Sequence, residues 1–275
     1  MPELPEVITV TNDLNNKVSG KTIKLVEVFK DKMIKDIDVE NFINLLINET
    51  IINVTNLGKH IIFNLTNHKH IISHLRMTGK YNTYKRRRQL EAHDYVVFTF
   101  SDESALFYND YRQFGTFHFK YSNELFTTPP LNKLGKVPKE TNIDELYEKV
   151  KNKKIPIKTL LLDQTYILGI GNIYANEALF DVNINPTEKV SNLTKNEFKK
   201  LIISAGRIMD ESLKNGGSSI QSYRSVDGAK GNFQNFLKVH NHEGDACVMC
   251  GHKIEKIFVN QRGTYFCPKC QKLKK

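Results

Sequence analysis

The 275-residue chain has no cysteine before Cys247, no apolar run long enough to span a membrane, no internal repeat and no low-complexity block. Each absence removes a class. Residues 1 to 246 cannot be stapled by disulfides. A membrane helix would need ~18 or more consecutive apolar residues. The opening Met1 to Val7 carries prolines and glutamates where a secretory leader would carry basic residues and an apolar stretch. The chain reads as a cytosolic globular protein, with 40% hydrophobic residues to build cores and a length suited to two domains plus a small appendage.

Acidic charge is scarce in one half. Formal net charge is +10; residues 1–130 hold 16 Lys+Arg against 15 Asp+Glu, and residues 131–275 hold 24 against 15, so the second half carries +9. A basic surface of this kind suits a polyanion, and nucleic acid is the usual one for a soluble intracellular protein; a merely solvated surface is the alternative.

The four cysteines form two knuckles, Cys247-x-x-Cys250 and Cys267-x-x-Cys270, with sixteen residues between them. Two such knuckles can set four thiolates at the corners of a tetrahedron around one Zn²⁺. Four protein ligands leave no open coordination position, so the metal is structural. Its binding energy, on the order of 10 kcal/mol in small zinc modules, stands in for a core that so short a segment cannot build.

At the other end, loss of Met1 would leave Pro2 with a free secondary amine beside Glu3 and Glu6. An α-amino group titrates at roughly 8, and a secondary amine can condense with a sugar aldehyde carbon to an iminium. Glu3 and Glu6 could move the protons that this needs. The plainer reading is that Pro5 and Glu6 simply open a helix.

Val7, Val10, Leu14 and Val18 recur at helical spacing and Gly20 follows, which predicts one amphipathic helix over residues 5–19. From Thr22 to about Tyr121 short β-rich runs such as Ile23–Val28, His60–Asn64, Ile71–His74, Tyr95–Phe100 and Thr116–Phe119 predict a β-sandwich or barrel. Lys85 to Arg88 reads as a solvated loop. Pro129-Pro130 opens a polar stretch to about Lys154, after which helical signals dominate. Short helices are expected at Ile157–Leu162 and Ile173–Phe180, and Thr194 with Glu197 makes a capping box for a helix along Phe198 to Leu213, stopped by Gly216-Gly217. A Gly/Ser/Gln-rich loop spans 216–232, and the cysteine module closes as a β-hairpin with Asn260-Gln261-Arg262-Gly263 at its turn. The expected fold is α+β, with a helix and β-sandwich domain at 1–129, a linker, helices and the glycine-rich loop at 130–236, and the zinc module at 237–275.

The whole resembles the formamidopyrimidine-DNA glycosylase family, whose members open Pro-Glu-Leu-Pro-Glu-Val after Met removal, carry a helix-two-turn-helix and end in a four-cysteine zinc finger. The likeness runs end to end: Leu57-Gly58-Lys59, His74-Leu75-Arg76-Met77-Thr78-Gly79, Asp110-Tyr111-Arg112-Gln113-Phe114-Gly115, Gly169 to Glu177, and Gln261-Arg262-Gly263-Thr264.

It implies a base-excision-repair enzyme that excises 8-oxoguanine and formamidopyrimidines from duplex DNA and then cuts the abasic site by successive β and δ eliminations. Pro2 would attack C1′, Glu3 would protonate the sugar ring oxygen, and Glu6 would lie near the damaged base. Lys59 would neutralise a phosphate or the leaving base, although outside this motif it would read as an exposed hairpin lysine. Arg262 would grip the phosphates of the extruded nucleotide, which a planar guanidinium does better than an ammonium. Met77, Arg112 and Phe114 match three side chains that fill the hole left by eversion, a step that costs a few kcal/mol. Asn172 would seat a phosphate at a helix start. His74, His93 and Tyr174 are grouped with these DNA contacts, and Lys158 with the loop Ser218 to Arg224, including Ser219, Tyr223 and Arg224, would close over the purine. The partner is lesion-bearing duplex DNA, the enzyme a monomer.

Gln113 stands where a second arginine is usual, Tyr111 where proline is usual, Ile8 where an acidic residue is common, and His240 where a phosphate-contacting tyrosine is expected. His240 and His242 are not expected to bind metal, because the cysteines complete the tetrahedron. Two rivals stay open: an endonuclease VIII-like enzyme for oxidised pyrimidines, which Leu4, Val7 and the loop Ser218 to Arg224 argue against, and a non-catalytic zinc-finger binder of damaged DNA.

Overall fold

In the computed structural model, which describes residues 2–218, 226–228 and 231–274, the first turn of the chain is already set by sequence. Pro5 fits the first turn of α1 (Leu4–Val18), and its apolar stripe of Val7, Val10, Leu14 and Val18 is buried. Three short pieces follow: β1 (Ile23–Val28), β2 (Ile34–Lys35) and α2 (Val39–Leu46). Helix α2 interrupts the expected run of strands because Asp38 caps it, accepting from Asn41 N–H at 2.8 Å, and because Phe42 and Leu46 fall one turn apart and bury together.

Seven strands complete this part: β3 (Ile51–Leu57), β4 (His60–Leu65), β5 (Lys69–His74), β6 (Lys80–Tyr84), β7 (Asp94–Phe100), β8 (Ala105–Asn109) and β9 (Thr116–Tyr121). They form a four-stranded sheet in the order β1-β7-β8-β6 and a five-stranded sheet in the order β2-β9-β5-β4-β3. The two sheets and α1 share one apolar core, which holds Val10 and Leu14 of the helix together with Phe98, Phe100 and Tyr108 of one sheet and Phe63, Ile71 and Phe117 of the other. The sandwich expected from the alternating runs is present, preceded by its helix.

The chain divides into two compact units, residues 1–132 with 215–234, and residues 133–214 with 235–275. The second unit is helical: α3 (Ile143–Val150), α4 (Ile157–Leu162), α5 (Asn172–Asp181) and α6 (Lys195–Lys214). Helix α3 arises inside the stretch read as polar connection, because Asn142 caps it and Leu146 and Val150 bury on one face. Helix α5 is buried along eight consecutive residues, Ile173 to Phe180. Thr194 and Glu197 do form the capping box of α6, Thr194 N–H donating to the Glu197 carboxylate at 2.7 Å and Glu197 N–H to the Thr194 hydroxyl at 3.3 Å. The chain closes with the hairpin β10 (Glu255–Val259) and β11 (Arg262–Phe266). Its turn is two residues, Asn260 and Gln261, both at positive φ, so Arg262 and Gly263 begin the second strand instead of lying in the turn. Among the described residues no helix is long and apolar enough to cross a membrane.

Candidate active site and DNA-contact residues

Pro2 and Glu3 lead directly into α1, and Glu3 and Glu6 are 2% and 1% exposed. One Glu6 oxygen accepts from Glu3 N–H at 2.9 Å and the other from Ser218 N–H at 2.7 Å. Glu6 is thus a fixed acceptor that ties the start of α1 to the root of the glycine-rich loop. That root is a narrow neck: Asn232 N–H donates to Asn215 O at 2.9 Å and Phe233 N–H to Gly217 O at 3.1 Å. Gly217 needs its positive φ of 83° here, and a Cβ on it would press to 3.0 Å from the Glu6 side chain. Ser219, Tyr223 and Arg224 lie outside the described residues.

Lys59 follows the tight β3–β4 turn at Gly58 and is 5% exposed, so it is no loose hairpin lysine. The next residue, His60, stands opposite His74 across β4 and β5, their rings edge to face at 4.7 Å. Burial holds both imidazoles neutral: it brings His60 down to about 4 and His74 well below the usual range, with Arg76 adding repulsion in both cases. His74 Nδ1 accepts from Arg76 N–H at 2.9 Å, which places the ring proton on Nε2 and leaves that nitrogen as a neutral donor.

Two loops carry the expected hole-filling side chains. Met77 is half-buried in the loop after β5; Arg112 and Phe114 are exposed in the loop after β8, with the guanidinium 4.9 Å from the Phe114 ring centre. Gln113, between them, takes a positive φ of 58° and donates its side-chain N–H to Tyr95 Oη at 2.8 Å. It therefore turns inward while its neighbours face solvent. His93 sits edge-on to the exposed Tyr111 at 5.0 Å.

In the second unit Arg262 is exposed at the mouth of the zinc hairpin. The hairpin is held from its own unit: Asn172 donates its side-chain N–H to Gly263 O at 2.9 Å, and the fully buried Lys158 donates to Thr264 Oγ1 at 2.7 Å and to Gly263 O at 3.3 Å. Lys158 is enclosed, so it supports the strand next to Arg262 instead of presenting charge at a surface. The Tyr174 ring is fully buried and its hydroxyl bonds Ser212 at 2.5 Å, so this residue offers its backbone, and not its ring, at the start of α5. Asn172 keeps a buried Oδ1 with no hydrogen-bond partner among the described residues.

The four cysteine sulfurs lie within 4.8 Å of one another, with Cys247 to Cys270 at 3.9 Å and Cys250 to Cys267 at 3.5 Å. A tetrahedron with Zn–S of ~2.3 Å has edges of about 3.8 Å, so the set fits one structural zinc ion. His240 takes no part in that cluster: it is buried against Tyr265 at 5.1 Å and bonded to Asn176 Nδ2 at 2.8 Å. Burial, helped by Lys158, brings its imidazole down to about 3. The segment bearing it is pinned by Glu177, whose buried carboxylate accepts from the N–H groups of Lys238, Val239 and His240.

Known families match this architecture piece by piece. The formamidopyrimidine-DNA glycosylase N-terminal domain matches residues 1–117, the H2TH domain of the same glycosylase residues 134–224, and the zinc finger found in FPG and IleRS residues 244–273. The chain belongs to the formamidopyrimidine-DNA glycosylase family. Relatives of that name from Mycoplasma mobile and Mycoplasmopsis pulmonis are 48% and 45% identical, over 99% and 100% of this chain and 100% and 99% of their own. Among solved structures, a complex of Lactococcus lactis Fpg with DNA containing an abasic site superposes with a TM-score of 0.92 at 34% identity, covering 98% of this chain and 99% of that one. A complex of the same glycosylase with DNA containing Fapy-dG superposes at 0.91, also at 34% identity, covering 98% and 100%.

Reading the sequence did not single out His60, Thr78 or Asp110, which the structure sets beside the expected residues His74, Met77 and Arg112. His60 was signalled by lying one residue after Lys59 on a strand that pairs with the one ending at His74; Thr78 and Asp110 carried no signal beyond membership of their motifs.

Proposed function

We propose that this protein removes oxidised purines, 8-oxoguanine and formamidopyrimidines, from duplex DNA and then cleaves the strand through a Schiff base on Pro2. The observation that supports this most is the opening of α1. The residue whose nitrogen would react stands next to a buried Glu3, and Glu6 is held by two backbone N–H groups. Relatives matched over their whole length carry the name of this activity.

The chemistry follows from those groups. After Met1 is removed, the Pro2 nitrogen bonds to C1′ as the C1′–N bond to the base breaks, and the base leaves carrying the bonding electrons and takes up a proton. Glu3 gives a proton to the ring oxygen, the ring opens, and the Pro2 nitrogen loses its own proton as the iminium forms. The cation acidifies the C2′ proton. Its loss expels the 3′ phosphate, and a second elimination expels the 5′ phosphate. His74, through Nε2–H, and Lys59 supply donors for the negative oxygens, and Arg262 holds the backbone phosphates. Cys247, Cys250, Cys267 and Cys270 would hold the zinc ion, which would cross-link the finger and supply no chemistry to the substrate.

Sodium borohydride on an 8-oxoguanine·C duplex tests this. Reduction should yield one covalent adduct that maps by mass spectrometry to Pro2, faster than on a thymine glycol duplex. No adduct, or an adduct on a lysine, overturns the mechanism; a faster reaction on thymine glycol overturns the substrate class.

A further inference from the structure

The loops bearing Met77 and Arg112–Phe114 run between the two sheets in opposite directions. Residues 75–79 lead from β5 of the five-stranded sheet to β6 of the four-stranded one, and residues 110–115 lead back from β8 to β9. What joins them is a single fully buried carboxylate, Asp110. Its Oδ1 accepts from the Thr78 hydroxyl of the other loop; its Oδ2 accepts from Gly115 N–H at 2.8 Å and, at the limit of hydrogen-bond range, from Tyr108 Oη–H at 3.5 Å. The Thr78 oxygen in turn accepts from Arg112 N–H at 3.0 Å, a proton that also leans towards Asp110 at 3.3 Å. Thr78 follows Met77 directly, and Arg112 carries the guanidinium. The bridge therefore fastens the backbone beside one hole-filling side chain to the backbone of the next.

Close packing seals the arrangement. Gly79 and Gly115 both lie against the Tyr108 hydroxyl, and a Cβ on either would overlap it. Gln113 N–H donates to Asp110 O at 3.1 Å, Asp110 N–H donates to His93 O at 3.0 Å, and the Gln113 side chain is taken up by Tyr95. A loop held at so many backbone points loses little entropy when its exposed side chains enter a helix. Two independent loops would each have to be ordered on binding.

We propose that Thr78 and Asp110 are positioning residues that fuse the Met77 loop and the Arg112–Phe114 loop into one wedge, so that the hole left by the everted nucleotide is filled in a concerted step. This rests on the glycosylase reading above. Neither residue touches the reacting atoms, and their effect is confined to substrates in which a stacked duplex has to be opened.

The measurement uses the full-length, zinc-loaded protein with Thr78→Val, Thr78→Ser and Asp110→Asn. Substrates are an 8-oxoguanine·C duplex and a single strand carrying an abasic site, which needs no eversion. Loss of one buried, charge-assisted hydrogen bond that fixes geometry should slow duplex turnover roughly tenfold to a hundredfold in Thr78→Val and Asp110→Asn. KM should change little, and borohydride trapping on the single strand should keep its wild-type rate. A 2-aminopurine placed next to the cytosine opposite the lesion should brighten on binding wild type and stay dim with Thr78→Val, and Thr78→Ser should restore both rate and signal. Wild-type duplex rates in Thr78→Val, or equal losses on both substrates, would sink the proposal. Failure of the unmutated enzyme to trap either substrate would instead sink the glycosylase reading.

Discussion

Each unit carries an exposed arginine among the expected DNA contacts, Arg112 on a turn of the sandwich and Arg262 at the start of β11 in the finger, and the two are held by opposite means. The Arg112 loop rests on a large apolar core, and a buried carboxylate gathers its backbone N–H groups. The Arg262 hairpin sits on a cluster of only a few buried residues around Val239, Cys247, Ile254 and Cys267, and depends on four thiolates for a metal with Lys158 and Asn172 donating into the strand. A big core can bury an anion and let it organise a loop. A small one needs a cation at its centre, because there is too little apolar surface to offset the entropy of ordering.

The comparison can be broken most severely at the metal. Cys270→Ser should release zinc and remove on the order of 10 kcal/mol from the finger. Duplex binding should vanish while the near-UV circular dichroism of the sandwich persists; a zinc-free variant that binds lesion duplex normally would refute the structural role.

Acid acts on buried histidines of both units, His60 in the sandwich and His240 beside the finger. His60 is held near 4 in the fold against 6.5 when unfolded, so the unfolded chain binds more protons between those values. The neutral ring's contribution is complete above about pH 6.5 and is lost as pH falls through about 4, a change on the order of 3 kcal/mol. His60→Phe keeps the ring against His74 and should make this acid limb shallower in urea titrations of the sandwich, the share of His74 remaining. An unchanged limb would remove His60 from the account.

Lys158→Met sharpens the contrast more gently. It leaves the Thr264 hydroxyl without its donor and should weaken duplex affinity roughly tenfold with zinc content intact, the usual loss for one buried hydrogen bond to a charged group. Smallest is Arg262→Gln, expected to lower the slope of log affinity against log salt by about one at every sequence tested. A slope that stays put would mean the guanidinium meets no phosphate.

The frame of the molecule was legible where one physical signal dominated. Spacing of Val7 to Val18 gave α1 within a residue at each end, and the paired knuckles gave the metal. Helices α2 and α3 were hidden, because eight residues with one cap and two buried apolar positions look like loop in a β-rich or polar context. At the site, residue type was a poor guide to exposure. Tyr174 and Lys158 look like DNA contacts, yet burial takes the ring into the core and the ammonium under the hairpin. Asp110 could be read as a member of its motif but not as a bridge, since its partners are backbone N–H groups and a threonine thirty-two positions away.

The neck below the glycine-rich loop is closed by main-chain bonds from Asn232 and Phe233, and its inner side leans on Glu6. Neither lock reads the side chains between residues 219 and 230. Within that stretch, however, Val226 is buried in the apolar core that α1 shares with the two sheets, so the loop is moored at its neck and again at a point inside it, and any exchange of its sequence has to keep an apolar side chain there.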